Sequence, residues 1–362
     1  MLDPMCTYSR PADWLKACLA DLEERLDLVE ESGLLHAWQA FSAGQFTGEL
    51  FSPRRSALNP ARVQWPMHVP VNAALADPDL MALQQYLACS RSLEMADGLL
   101  LNVRANYGTG ILPSLFGARP LIMADELDTL PTTWPLGDVA AIERLVDAGV
   151  PDLSQGMMPQ VLAMGARYAE IAAQYPQIGA QVFIYHPDLQ GPFDVVELLW
   201  GSSVFLALFD RPALVHALLE LVTQTYVRAL EAWQQIVPFH PEGNAHWGYY
   251  HRGNIMLRDD SAMNLSPAMF AEFVRPYDQR LFDHFGGGAL HFCGRGDHYL
   301  PQVAEMRGVY AVAMSQPEYN DMERVFTYTV DQGINLLGLD CAAARAALAV
   351  GRPLHGRVHV AP

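Results

Sequence analysis

Short apolar segments alternate with amphipathic helical patterns along most of this chain, and this alternation limits its fold more than any other feature. Strands separated in this way pair in parallel, because each helix carries the chain back across the sheet before the next strand begins. Eight segments have the composition of strands, at residues 63–69, 99–103, 181–185, 254–257, 289–292, 309–313, 334–339 and 357–360.

Eight parallel strands predict an α/β fold that closes into a (β/α)8 TIM barrel. The alternative is a doubly wound open sheet, but no G-x-G-x-x-G fingerprint follows any of the strands. Residues 11–40 have the apolar spacing of an amphipathic helix that precedes the first strand. We therefore divide the chain into an N-terminal helical extension, residues 1–60, and a single barrel, residues 61–362. Further helices are predicted at about 211–235, 266–284, 298–306, 322–332 and 342–349.

The composition predicts a globular cytoplasmic protein with a small-molecule substrate. The chain is 51% hydrophobic and carries a formal net charge of -17, which opposes binding to nucleic acid or to anionic membranes. No basic leader opens the sequence, and no window approaches the roughly 18 uncharged apolar residues of a spanning helix. The cysteines are odd in number and widely scattered, which favours a reducing compartment over a disulfide framework: Cys6, Cys18, Cys89, Cys293 and Cys341.

Polar residues that follow the strands are the candidates for function, because the loops at the carboxyl ends of barrel strands form the active face. Asp259 and Asp260 follow the fourth strand, and we expect one of them to solvate the loop and the other to face the mouth as a catalytic carboxylate. The candidates for substrate binding are Asn102, Arg104, Tyr107, His186, Asp194 and Gln316.

The segment His291-Phe292-Cys293 closes the fifth strand and predicts a metal site. Residues two apart on a strand point the same way, so the imidazole and the thiol can share one ion. A third ligand could be Cys341, after the seventh strand, or His359, on the eighth, and both remain open. Three protein ligands and one open position describe a catalytic zinc, and thiolate with imidazole favours zinc over magnesium or calcium.

Three longer stretches resemble the uroporphyrinogen decarboxylase superfamily, whose members are (β/α)8 barrels and include cobamide-dependent methyltransferases. MLRDDSAMNLSPAMFAEFVRPYDQRL is similar to the family's acid-Ser turn and the helix that follows it. IYHPDLQGPFDVVELLWG is similar to its third strand and Gly-Pro turn, and HVAP to its last strand. Within the superfamily, the thiol methyltransferases bind zinc through H-x-C and a later cysteine, which the segment at residues 291–293 fits in part. The decarboxylases carry an arginine-rich motif on strand one, where this chain reads VQWPMHVPVN.

This resemblance implies a zinc-dependent methyltransferase that moves a methyl group between a corrinoid carrier and a small, thiol-type substrate. A corrinoid-binding protein is then the expected partner. Two alternatives remain open. One is a metal-free decarboxylase that uses His359, Arg104 and an aspartate; the other is a barrel that binds a corrinoid or another small ligand without turnover.

Overall fold

Parallel strands form the framework of the computed structural model, which describes residues 10–360. Six of them hydrogen-bond side by side in the order β1-β12-β11-β10-β9-β8, and β2 pairs in parallel with β5. The remaining four form two antiparallel hairpins, β3–β4 and β6–β7. The strands are β1 (Leu50–Phe51), β2 (Asn102–Val103), β3 (Arg119–Leu121), β4 (Thr132–Trp134), β5 (Phe183–Ile184), β6 (Asn244–His246), β7 (Tyr249–His251), β8 (Ile255–Arg258), β9 (Gly288–Phe292), β10 (Val309–Met314), β11 (Asn335–Leu339) and β12 (Val358–Val360).

Helices separate the parallel strands, as the alternating pattern predicts. They are α1 (Pro11–Arg25), α2 (Leu28–Ser42), α3 (Val71–Ala76), α4 (Pro78–Met95), α5 (Ile111–Leu115), α6 (Val139–Ala148), α7 (Met158–Gln174), α8 (Pro176–Gln181), α9 (Pro192–Trp200), α10 (Val204–Asp210), α11 (Pro212–Gln234), α12 (Pro267–Met269), α13 (Arg275–Phe285), α14 (Leu300–Ala304), α15 (Met322–Tyr328) and α16 (Cys341–Ala349). A π-helical turn, Phe270–Val274, joins α12 to α13 just before Pro276, whose ring nitrogen cannot donate to the helix ladder.

The fold is TIM-barrel-like, but its hydrogen bonding does not close. Within residues 10–360, no strand ladder joins β1 to β2 or β5 to β8. The expected closed barrel is therefore corrected to a six-stranded sheet beside a two-stranded one. The short β2 and β5, two residues each, leave too few backbone groups for a continuous ladder.

The predicted first strand, residues 63–69, is wrong. This stretch forms no strand, and Trp65 instead donates its indole N–H to Asp21 of α1 at 2.8 Å. Pro66 lies within the stretch, and proline cannot donate to a sheet ladder. The strand beside β12 is Leu50–Phe51, which lies inside the segment assigned to the N-terminal extension.

The predicted helix over residues 11–40 is two helices. The chain turns after Leu26, and Asp27 caps α2 by accepting the N–H groups of Val29 and Glu30. Cys6 lies outside the described residues, as do the last two residues of HVAP.

Helix α2 and the β6–β7 hairpin pack against the inward side of the strands. Trp38 of α2 is fully buried and donates its indole N–H to Gly98 at 2.8 Å. The strands present small residues to it, so that bulky aromatic rings fit between them. The members of this inner core are Leu34, Trp38, Phe41, Phe51, Leu100, Ala245, Tyr250, Met256, Ala289, Ala311, Ala313 and Leu337.

The stretch Pro192–Asp210 is apolar and long enough to cross a membrane on length and composition alone, with a mean hydropathy of 1.5. Here it comprises α9, a short 3-10 turn and α10, and 56% of its most apolar window is buried. Helix α9 packs on α11 with most of its apolar residues buried, whereas Leu206 and Phe209 of α10 are exposed.

Candidate functional site

The end of β9 brings His291 and Cys293 together on the inward side of the sheet. Residues two apart on a strand share a face, and Cys293 Sγ lies 3.5 Å from His291 Nε2. Ser315, after β10, lies 3.5 Å from the same sulfur through its hydroxyl. Trp247, at the tip of the β6–β7 hairpin, meets the His291 ring edge-on with centroids 4.8 Å apart. The hairpin thus contacts the imidazole through Trp247, and the residue after β10 contacts the thiol through the Ser315 hydroxyl.

Asp260 completes this group from the loop after β8. Its Oδ1 accepts the backbone N–H of Cys293 at 2.7 Å and lies 3.8 Å from His291 Nε2. One ligand atom from each of Asp260, His291 and Cys293 lies within 4.8 Å of the other two. Within the described part of the chain, this is the one cluster of three or more potential metal ligands of these residue types.

The two residues considered as third ligand lie elsewhere. Cys341 is the first residue of α16 and lines a separate cavity with Arg54 and Arg345. His359 is buried on β12, where its Nδ1 accepts the N–H of Gly338 at 3.0 Å and its ring packs on Trp38. Neither belongs to the His291–Cys293 cluster. His359 is also 1% exposed, which argues against the role at a substrate that the decarboxylase alternative requires.

Burial determines the charge states of His291 and Cys293. Burial raises the pKa of the Cys293 thiol to about 11, although its hydrogen bond with the Ser315 hydroxyl acts to lower that pKa. Burial also lowers the pKa of His291, with the nearby Asp260 carboxylate acting in the opposite direction. Near neutral pH the site therefore presents a neutral imidazole, the form that binds metals, beside a thiol that needs a positive partner to ionise.

The adjacent aspartates point in opposite directions. The side chain of Asp260 is 41% exposed at the mouth, whereas Asp259 is 1% exposed and faces Asp278 on α13. Burial, followed by the charge of Asp278, raises the pKa of Asp259 well above its ordinary value. Asp260 is therefore the mouth-facing aspartate, and the expectation that the other one solvates the loop is wrong, because Asp259 is buried. Asp259 belongs instead to a buried carboxyl pair.

A buried ion network lies beside the site. Asp188 accepts hydrogen bonds from Gln190 and Arg104, the latter at 3.0 Å, and pairs with Arg258 Nε at 2.8 Å. Burial alone would raise the pKa of Asp188, yet the two arginines lower it overall. Arg258 also lies over the Trp247 ring, 5.0 Å from its centroid. The Arg104 expected to bind substrate is therefore already paired with an acid.

The remaining candidates for substrate binding do not converge on the cluster. His186 is buried, with Nδ1 against Pro187 O and Nε2 accepting the N–H of Met256, and burial lowers its pKa to about 3. Gln316 accepts the N–H of Gly294 at 2.6 Å and so supports the turn after Cys293.

Asn102 and Tyr107 also lie away from the cluster, whereas Asp194 accepts a hydrogen bond from the backbone of one of its members, Asp260. Asn102 donates to the Leu100 carbonyl at 2.7 Å and lines a cavity of about 450 Å³ with Arg104 and Trp247. Tyr107 lines another cavity, of about 460 Å³, between the β3–β4 hairpin and α7. Asp194, 4% exposed, bonds to the loop that carries Asp260. Of these two cavities, the one lined by Arg104 includes Trp247, which contacts the His291 ring.

Sequence reasoning missed three contributors to this site. Trp247 lies in a hairpin that shows no strand pattern in the sequence, and Arg258 directly follows the predicted strand at residues 254–257 without being named as a candidate. Ser315 follows β10 directly, so its position at a strand end was the one available signal.

The Asp259–Asp278 pair predicts a pH-dependent stability. Burial raises the pKa of Asp278 to about 7, whereas in the unfolded chain this carboxyl ionises near its ordinary value of about 3.9. At a pH between these two pKa values, Asp278 is protonated in the folded chain and ionised in the unfolded chain, so folding takes up a proton. The free energy of unfolding therefore falls as the pH rises from about 4 to about 7. In Asp278→Asn this contribution is absent. We expect the variant to gain up to about 4 kcal/mol relative to the parent between pH 4 and pH 8, measured by urea unfolding.

Asp283→Asn, at an exposed position of the same helix, is the matched control and should change the pH profile little. Parallel profiles for the parent and Asp278→Asn would show that Asp278 is ionised in the folded protein throughout this range.

Comparisons with known proteins support the fold. No family model matches the chain. A methyltransferase from Methanosarcina mazei has a similar structure, with a TM-score of 0.59 over 81% of this chain and 83% of that one, at 18% sequence identity. An acetylglutamate kinase from Mycobacterium marinum (strain ATCC BAA-535 / M) is 34% identical over 100 residues, which is 26% of this chain. The chain spans only about a third of that kinase, 32% of its length. The likeness to the Methanosarcina mazei structure shows a methyltransferase-like fold.

Proposed function

We propose that this protein is a zinc-dependent methyltransferase that moves a methyl group between a corrinoid carrier and a small thiol. The cluster of Asp260, His291 and Cys293 at the carboxyl ends of β8 and β9 carries the proposal. The likeness in fold to the Methanosarcina mazei methyltransferase supports it. A corrinoid-binding protein is the proposed partner, and its methyl group the proposed donor.

The donor set fits zinc. Ligand atoms around a tetrahedral zinc, with bonds of about 2.0–2.3 Å, lie about 3.3–3.8 Å apart. The Sγ–Nε2 separation of 3.5 Å and the Nε2–Oδ1 separation of 3.8 Å fall in this range. A thiolate and a carboxylate together balance the charge of the ion. Sulfur and nitrogen ligands favour zinc over the harder cations, and three protein ligands leave one position open.

Asp260, His291 and Cys293 would hold the zinc, whose positive charge would stabilise the substrate thiol as a thiolate near neutral pH. The chain's own residues prepare the site for this. Cys293 would bind the metal as a thiolate, and the Ser315 hydroxyl lies within reach of its sulfur. The N–H of Cys293 holds the Asp260 carboxylate in place, while Trp247 restricts the His291 ring. In the transfer, the substrate thiol would release its proton to solvent and its sulfur would form a bond to the methyl carbon, while the methyl–cobalt bond of the donor breaks and leaves its electron pair on the corrinoid cobalt, as Co(I).

A methyl-transfer assay tests the proposal. Protein loaded with zinc is mixed with methylcobalamin and a panel of small thiols, and loss of the methylcobalamin absorbance is recorded. We expect a zinc-dependent rate at least tenfold above the rate without protein for at least one thiol, and no reaction with the matching alcohols. Asp260→Asn should lower the rate, because it removes a ligand charge, whereas Cys341→Ser should keep it.

Equal rates with zinc-loaded and zinc-free protein would contradict a zinc-dependent transfer. The assay is repeated with methylcobinamide, a second free methyl donor that lacks the nucleotide tail. Failure with both donors and all thiols would contradict methyl transfer from a free corrinoid to these thiols.

A further inference from the structure

Helix α9 holds the loop after β8 through two carboxylates one turn apart. Asp194 accepts the N–H of Asp260 through one oxygen, at 2.9 Å, and the N–H of Ser261 through the other, at 2.8 Å. Glu197 accepts a hydrogen bond from the Ser261 hydroxyl. Three hydrogen bonds therefore bind the backbone and side chain of two consecutive loop residues to one helix.

The loop that α9 holds is the one that presents Asp260 to the His291–Cys293 pair. The Asp260 carboxylate reaches forward to the N–H of Cys293 at 2.7 Å, while its own N–H reaches back to Asp194. Asp194 is 4% exposed, so its carboxylate meets the loop from behind and is shielded from solvent. Its hydrogen bonds reach the metal-ligand cluster through Asp260.

A glycine allows α9 to approach so closely. The N–H of Gly191 donates to the Arg258 carbonyl at 2.9 Å, which docks the start of α9 on the end of β8. A Cβ atom on Gly191 would lie 2.1 Å from Asp259 Oδ1 and 3.0 Å from that carbonyl. The first turn of α9, with Asp194 in it, therefore has a fixed position relative to the loop.

We propose that Asp194 is a positioning residue of the metal site: its carboxylate fixes the backbone of Asp260, and through it the ligand carboxylate beside Cys293. This inference rests on the proposed function, since it concerns the same three ligands. It replaces the substrate-binding role expected for Asp194 from the sequence.

Two variants, Asp194→Asn and Asp194→Ala, test the role. Asparagine keeps the size but offers one acceptor oxygen where the carboxylate offers two, so one loop N–H loses its partner. Alanine removes both bonds. In the metal-free protein, amide hydrogen exchange at Asp260 and Ser261 should become at least tenfold faster, while exchange in α11 stays unchanged. Cobalt(II), used as a spectroscopic probe, should bind about 10–100-fold more weakly than to the parent, with an altered visible absorption.

Asp138→Asn is the matched control. Asp138 caps α6 by accepting the N–H of Ala141, so its replacement removes a carboxylate–backbone bond outside the site. It should leave cobalt affinity and exchange at residues 260–261 as in the parent. Parent-like cobalt affinity in Asp194→Ala would overturn the inference, and so would unchanged loop exchange or faster exchange throughout α11.

A parent protein that binds neither zinc nor cobalt would defeat the proposed function, and amide exchange would then decide the role of Asp194 alone. Faster exchange confined to residues 260–261 and 293 would support the positioning role, and unchanged exchange would refute it. If Asp194→Ala does not fold, Asp194→Asn gives both measurements.

Discussion

The double variant His291→Ala, Cys293→Ser is expected to lose zinc binding altogether. It removes the imidazole and the soft thiolate, and leaves only the Asp260 carboxylate from the proposed ligand set. A single carboxylate does not hold zinc against water at micromolar concentrations, because affinity depends on several ligands bound in fixed geometry. Zinc content per chain, measured on protein purified without added metal and then after saturation and dialysis, should fall from about one to near zero.

Cys341→Ser and His359→Asn are the matched controls for this result. Each removes one of the alternative third ligands, and in the structure neither lies with His291 and Cys293. Both should retain zinc at the parent level, while Asp260→Asn should bind it at least tenfold more weakly. Full zinc retention in the double variant, with an unchanged circular dichroism spectrum, would place the metal elsewhere. Loss of zinc in Cys341→Ser would mean that α16 moves toward the cluster on binding.

Asp188→Ala is expected to destabilise the fold by about 3–5 kcal/mol, the cost of leaving a buried charge without its partner. Arg258 is 2% exposed and Arg104 is also largely buried, so neither guanidinium can reach bulk water when the carboxylate is removed. Asp188→Asn should cost less, because the amide oxygen still accepts one hydrogen bond. Urea unfolding at pH 7 gives the free energies.

The control for Asp188 is Asp283→Ala, which also removes an aspartate bonded to an arginine, Arg307, but at 45% side-chain exposure. An exposed pair of this kind contributes within about 1 kcal/mol. Equal losses for the two variants would show that Arg104 and Arg258 find other partners or water when Asp188 is absent.

The position of most strands followed from local sequence, because a strand buried on both faces leaves a continuous apolar run. The predicted strands at residues 309–313 and 289–292 correspond to β10 and β9, and each differs from the observed strand by one residue at one end. The first strand could not be found this way. Leu50–Phe51 is two residues long and shows no period, whereas the apolar stretch 63–69 packs against α1. The pairing of Leu50–Phe51 with β12 joins residues that are some 300 positions apart in the chain.

The sequence by itself determined that His291 and Cys293 share a face, since this follows from the two-residue repeat of any strand. It also placed an aspartate pair after β8. Which aspartate faces the mouth, and which residue accompanies the imidazole and thiol, only the tertiary structure decided. Both depend on how α9 and α13 pack against the end of β8. Asp194 of α9 accepts the backbone N–H of Asp260, and Asp278 of α13 lies against the side chain of Asp259. Cys341 and His359 have suitable donor atoms, but ligands meet only when distant loops converge within a few ångströms, and no local pattern encodes that distance.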